Sequence, residues 1–160
     1  MKYAVMVDID KCTGCRRCEV ACSFFRENEC NPAKSRIHVL SWARECLDIP
    51  IYCVQCTKPA CKAVCPVNAI TVNEKTGTVL IDDDLCIGCR MCMVACPIGA
   101  ISLDAVCRKM LKCDLCEGRD GKPKCVEYCE PKALRYVPAI ISNVAKMRKN
   151  AEKFLEFAMR

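Results

Sequence analysis

Cysteines carry the chemistry of this chain, and its sharpest pattern is Cys86, Cys89, Cys92 and Cys96, followed by Pro97. The spacing C-x2-C-x2-C-x3-C-P suits iron–sulfur chemistry. Three closely spaced thiolates hold one [4Fe–4S] cluster, and the fourth reaches to a neighbouring cluster. Zinc sites typically pair their ligands across a long gap instead. Such a run implies a partner run, and the chain holds three more: Cys12, Cys15, Cys18 and Cys22; Cys53, Cys56, Cys61 and Cys65; and the looser Cys113, Cys116, Cys125 and Cys129. Sixteen of the nineteen cysteines fall into these runs, enough for four cubane clusters at four ligands each. A zinc-filled site among the four stays open on sequence alone.

The 19 cysteines in 160 residues lie far outside ordinary composition. A disulfide framework would account for them in a secreted chain, but the first ten residues hold no cleavable apolar segment and the count is odd. Reduced thiols committed to metal in a reducing, cytoplasmic compartment fit better. Nine aromatic residues make a thin apolar core, so the cofactors must act as core and drive folding. The formal charge of +6 treats cysteine as neutral. An oxidised [4Fe–4S] centre with four thiolates carries about −2, so four of them bring the loaded chain to about −2 overall. Basic residues crowd the ligands (Lys11, Arg16, Arg17, Lys58, Lys62, Arg90, Arg108, Lys109, Lys112 and Lys124), and some are expected to offset cluster charge. No basic stripe interleaved with aromatics points to nucleic acid.

The elements that must position these ligands are short. Alternation over residues 3–9 predicts a strand, Arg16 to Phe25 a helix, 27–34 a turn, and Ser35 to Trp42 a strand. Pro59 is placed to start a helix carrying Cys61 and Cys65. Ala69 to Val72 and Thr78 to Asp82 flank a glycine-containing turn and predict a hairpin. Glu117 to Lys124 reads as a surface loop. An internal repeat follows three runs: Cys65-Pro-Val-Asn-Ala-Ile, Cys96-Pro-Ile-Gly-Ala-Ile and Cys129-Glu-Pro-Lys-Ala-Leu each predict a cysteine, a turn and a short strand. Cys22 is followed by Ser23 and two phenylalanines, so its chain should continue as helix. From Ile140 to Arg160 apolar residues recur at helical spacing with charges opposite, too charged to span a bilayer.

The four runs together resemble the four-cluster iron–sulfur electron-transfer subunits of dimethyl sulfoxide reductase, formate dehydrogenase and formate hydrogenlyase. They are equally similar to the ferredoxin-like subunits of carbon monoxide dehydrogenase/hydrogenase systems and of tungsten aldehyde oxidoreductases. The resemblance covers residues 3–137 and all sixteen ligand positions. It implies an α+β fold of two nested bacterial-ferredoxin-like modules with short hairpins and short helices, plus a C-terminal amphipathic helix. The outer module would comprise 1–48 with 105–137, the inner one 49–104, and a docking helix 138–160. Crossed ligation is implied with it. Cys12, Cys15 and Cys18 would join Cys129; Cys113, Cys116 and Cys125 would join Cys22; Cys53, Cys56 and Cys61 would join Cys96; and Cys86, Cys89 and Cys92 would join Cys65. The implied partner is a catalytic oxidoreductase subunit, a tungsten or molybdenum pterin enzyme before a hydrogenase or carbon monoxide dehydrogenase. The outer pair of clusters would face that subunit. No transmembrane segment is expected.

Cys30, Cys46 and Cys107 remain, expected as small buried apolar residues, with Cys107 the nearest to a cluster. His38 reads as structural, Trp42 as packing, and Asp82 to Asp84 as a polar turn. No glycine-rich nucleotide motif and no acid–base pair at motif spacing is present, so no substrate site is expected. An electron-transfer subunit is therefore the leading expectation. A free-standing polyferredoxin is the alternative, and a catalytic or cluster-assembly protein using a spare cysteine the third.

Overall fold

The computed structural model describes residues 3–119 and 122–138. The amphipathic helix expected over 138–160 falls, past Pro138, outside them. Four two-stranded antiparallel ribbons carry the architecture. β1 (Tyr3–Val7) pairs with β8 (Leu134–Pro138), β2 (Ile37–Trp42) with β3 (Leu47–Tyr52), β4 (Ile70–Val72) with β5 (Val79–Ile81), and β6 (Ile101–Leu103) with β7 (Met110–Lys112). Between them lie α1 (Arg17–Glu27) and the one-turn helices α2 (Ala60–Ala63), α3 (Met91–Ala95) and α4 (Lys124–Glu127). This mixture of hairpins and short helices is ferredoxin-like.

Among the described residues only α1, at 11 residues, exceeds two turns. Pro66 and Pro97 directly follow the last cysteines of their runs and push the preceding residue out of helical space. Cys22 has no proline after it, and α1 runs on to Asn28, whose left-handed cap donates its N–H to the Phe24 carbonyl at 2.8 Å. Pro59 caps α2 rather than entering it, and Cys65 lies beyond that helix. Helices of four or five residues cannot persist on their own propensity, and isolated two-stranded ribbons are marginal. Tertiary packing must hold both.

Neither β3 nor β7 is expected from the sequence pattern. Pro50 lies inside β3, opposite Val39. It is tolerated because this is a non-hydrogen-bonded pair: the Val39 N–H points away from β3 and donates to Glu19 Oε1 at 2.5 Å. Glu19, 3% exposed on α1, thereby ties the helix to the β2–β3 ribbon.

The buried residues form two groups. One joins Val5, Ile37, Val39, Leu115, Ala133 and Leu134 to Cys18, Cys22, Cys125 and Cys129. The other joins Ile70, Val79, Ile101 and Met110 to Cys92. The β1–β8 ribbon closes the first group by pairing the two ends of the described chain, Val5 opposite Tyr136. Among the described residues no helix is long and apolar enough to cross a membrane.

Candidate metal centres

Each cysteine run begins in a loop and ends on or beside a short helix, so its sulfurs curl around a point rather than line up. The curl needs left-handed backbone. Gly14 and Gly88 adopt positive φ in the first and third runs, as do Arg16 and Arg90 at the starts of α1 and α3. Gly88 has a second constraint, because a Cβ there would run into the Arg108 carbonyl oxygen.

Four cavities result. Cys12, Cys15, Cys18 and Cys129 line the first, walled by Val39, Pro50 and Leu134. The second is lined by Cys22, Cys113, Cys116 and Cys125, with Val5, Ile37 and Tyr52. Cys53, Cys56, Cys61 and Cys96 line the third, against Val79 and Ile101. The fourth is lined by Cys65, Cys86, Cys89 and Cys92, against Ile70, Ile81 and Met110. Their empty volumes are alike, about 320, 380, 360 and 320 Å³ in that order. All sixteen expected ligand positions are thus gathered, one quartet to a cavity. Among the described residues no three His, Cys, Asp or Glu side chains converge on a point where one ion could sit. The thiols surround a volume instead, in mostly apolar walls joined by Arg16 and Arg17 at the first quartet and by Arg26, Arg36 and Asp114 at the second, a donor set suited to a metal–sulfide cube.

Burial governs the thiols. Removal from water pushes Cys18 and Cys113 up to about 12 and Cys92 up to about 11, and holds Cys125 well above the ordinary value of 9.0. Cys12, Cys61 and Cys116 are raised by the same cause. A lone nucleophilic cysteine needs the opposite shift. These sulfurs become thiolates only when metal displaces their protons. Backbone amides already point at several of them: Arg36 N–H at Cys22 Sγ (3.3 Å), Leu134 N–H at Cys129 Sγ (3.4 Å) and Leu115 N–H at Cys113 Sγ (3.5 Å).

The cavities connect in a definite order. Cys18 and Cys22 share α1, and their two quartets share one buried group. The third and fourth share the other group, which Cys61, Cys65, Cys86 and Cys96 pack against. The join between the pairs is polar. Gln55, between the ligand positions Cys53 and Cys56, donates to the Cys113 carbonyl at 2.8 Å and accepts the Val79 N–H at 2.9 Å. Within the first group, Tyr52 donates its hydroxyl to the Val5 carbonyl at 2.8 Å. Lys112 Nζ donates to the Cys113 carbonyl at 2.6 Å and lies 3.7 Å from Cys53 Sγ. Lys112 is among the basic residues expected near ligands, but Gln55 and Tyr52 carry no signal in spacing or periodicity. Cys15 and Cys89, in the first and fourth quartets, are the two exposed members of the sixteen.

One expectation is overturned. Cys30, Cys46 and Cys107 are all exposed, not buried. Cys30 follows the end of α1, Cys46 ends a surface 3-10 turn, and Cys107 lies in the β6–β7 turn, where its N–H donates to Asp104 at 3.1 Å. None has a core to enter, and Cys107 is not among the residues lining the quartet cavities. His38 is half-buried in β2 opposite Ile51 and away from those cavities. Asp82 forms the expected turn, its Oδ1 accepting the Asp84 and Leu85 N–H groups.

This chain is similar to known iron–sulfur proteins. The family described as a 4Fe-4S dicluster domain matches residues 45–138, and one described as a 4Fe-4S binding domain matches residues 3–24. The polyferredoxin-like subunit of aliphatic sulfonate oxidoreductase from Pyrococcus furiosus is 42% identical over 125 residues, covering 78% of this chain and 70% of the relative. The B subunit of anaerobic dimethyl sulfoxide reductase from Escherichia coli K12 is 36% identical over 152 residues, covering 86% and 74%. Among solved structures, a component of the active site complex BamBC of benzoyl coenzyme A reductase, in complex with zinc, aligns at TM-score 0.53 and 26% identity over 96% of this chain and 90% of that one.

Proposed function

The chain belongs to the 4Fe-4S dicluster family of electron-transfer subunits, and we propose that it binds four [4Fe–4S] clusters and serves a separate catalytic oxidoreductase subunit. The observation that carries this reading is the gathering of sixteen cysteines into four quartet-lined cavities. The ligand sets are Cys12, Cys15, Cys18 and Cys129; Cys22, Cys113, Cys116 and Cys125; Cys53, Cys56, Cys61 and Cys96; and Cys65, Cys86, Cys89 and Cys92. The clusters, when bound, supply one-electron chemistry, and the protein supplies spacing and electrostatics. Apolar walls exclude water from the quartets, and amide N–H groups aimed at the sulfurs favour the charged, ligated thiolates.

The two buried groups support nested modules, an outer one formed by both ends of the chain around a continuous inner one. Met110 packs with the inner group, which supports a join on the far side of β7 rather than at residues 104–105. The exposure of Cys15 and Cys89 supports the first and fourth cavities as the points where electrons are exchanged with partners. The partner is a tungsten or molybdenum pterin enzyme, favoured by the likeness to subunits of dimethyl sulfoxide reductase and of aliphatic sulfonate oxidoreductase. Sixteen reduced thiols suit the cytoplasm. Anaerobic native purification, with metal analysis of whatever co-elutes, is the test. A stable complex containing tungsten or molybdenum and about sixteen irons per copy of this chain is expected. Recovery of the native protein only as a monomer would make it a diffusible polyferredoxin instead.

A further inference from the structure

Lys112 ends β7 and is only 4% exposed, deeper than any other lysine described. Two buried or half-buried arginines are matched to carboxylates, Arg36 to Glu27 at 2.8 Å and Arg26 to Asp114, while half-buried Lys109 donates to the Asp83 and Cys86 carbonyls. Among the described residues no ion pair includes Lys112. A buried ammonium without a counter-ion is costly, so a fold that retains one must supply negative charge. What surrounds this one is cysteine. Its Nζ lies 3.7 Å from Cys53 Sγ of the third quartet and donates to the backbone of Cys113 of the second at 2.6 Å. Its charge favours the thiolate form at both Cys61 and Cys113.

We infer that Lys112 is a single counter-ion shared by the second and third metal centres, raising both reduction potentials and so favouring electrons on the middle of the relay. This rests on the four-cluster reading. Each couple takes up one electron from the redox partner, converting a [4Fe–4S]2+ core to [4Fe–4S]1+ with no bond made or broken. A fixed positive charge in a water-poor setting favours the more negative member of each couple. Because one charge stands between two quartets, its removal must move two potentials in one direction. The buried charge beside Cys18 of the first quartet has the opposite sign, Glu19, so the end of the relay does not share this effect.

The test is potentiometric titration of the full-length, cluster-loaded protein followed by electron paramagnetic resonance. Cys113→Ser and Cys53→Ser identify the signals of the second and third centres. In Lys112→Met and Lys112→Gln both midpoints should fall, changing the reduced-to-oxidised ratio at fixed potential at least about tenfold, or about 59 mV for a one-electron couple. Lys112→Arg should keep both near their original values, and the first and fourth centres should stay put in all three. Unmoved midpoints in iron-replete neutral variants, or movement of one centre alone, overturn the inference. So does loss of iron from both neutral variants, which would make Lys112 a structural residue. Failure of the four-cluster reading itself would show separately, as far fewer than about sixteen irons in the unaltered chain.

Discussion

Replacing Cys129 with alanine probes the long-range closure on which the outer module depends. Cys129 lies more than a hundred residues beyond Cys18 in sequence. Both nevertheless line the first cavity with Cys12 and Cys15. The change removes one buried sulfur, together with the acceptor for the Leu134 N–H at 3.4 Å. Lost packing and one weak hydrogen bond cost about 1–2 kcal/mol. That alone would not unfold a chain whose folding, on the proposed reading, is driven by four metal centres. The effect on the cofactor is larger, because a cubane held by three thiolates leaves one iron without a protein ligand. Iron per chain should fall from about sixteen to about fifteen if a three-iron cluster persists, or to about twelve if the cavity empties. Iron and sulfide analysis, with electron paramagnetic resonance of the reduced protein, measures both. Cys46→Ala, at an exposed position outside every quartet, is the control and should keep its full iron. Full iron and an unchanged spectrum in Cys129→Ala would refute the crossed ligand set, and so would selective loss of the second centre.

Gly88→Ala forces a Cβ into the Arg108 carbonyl at positive φ and should cost about 2–4 kcal/mol with loss of iron from the fourth cavity. Gly99→Ala, at φ +67 but with nothing nearby, should cost only about 1–2 kcal/mol; equal thermal stabilities for the two variants would contradict the steric argument. Cluster assembly should depend on pH. Burial holds Cys18 and Cys113 up to about 12 and Cys92 up to about 11, so their thiols remain protonated at neutral pH. Metal must displace those protons, and reconstitution, read by cluster absorbance, should therefore improve from about pH 7 to about pH 9 and fail in acid. A flat profile would argue against proton displacement. Removing iron with a chelator should abolish most of the far-ultraviolet circular dichroism, because α2 to α4 are too short to survive alone. A near-native spectrum after complete iron removal would disprove metal-driven folding.

The candidate ligands stand out in the chain because cluster chemistry favours close local spacing. Three thiolates on one cube must lie within a few residues of each other, so the runs at 12–22, 53–65, 86–96 and 113–129 stand out without any structure. α1, the start of α2 after Pro59 and the hairpin at 70–81 followed from the sequence pattern, whereas α3 and α4 were not expected from it. Other elements were hidden. Pro50 masked β3, since its acceptability depends on where the neighbouring strand directs the Val39 N–H. Cys30, Cys46 and Cys107 are chemically identical to the buried ligands. Their exposure is decided by whether the surrounding chain encloses them.

By itself, the sequence pointed to the class of chemistry: sixteen clustered thiols at a spacing that suits iron–sulfur clusters better than a disulfide framework. It also showed a chain with neither a glycine-rich nucleotide motif nor an acid–base pair at motif spacing. Tertiary structure decided which sulfurs meet. Local spacing says nothing about the fourth member of each quartet, because Cys129 reaches Cys12 only when β8 pairs with β1, a contact between opposite ends of the described chain. Nor does spacing say what charge stands between quartets. Lys112 reads as one basic residue among many until β7 buries it against Cys53 and Cys113. Thiolate spacing is a local property of the backbone, whereas the sharing of a cavity or a counter-ion depends on how distant segments pack.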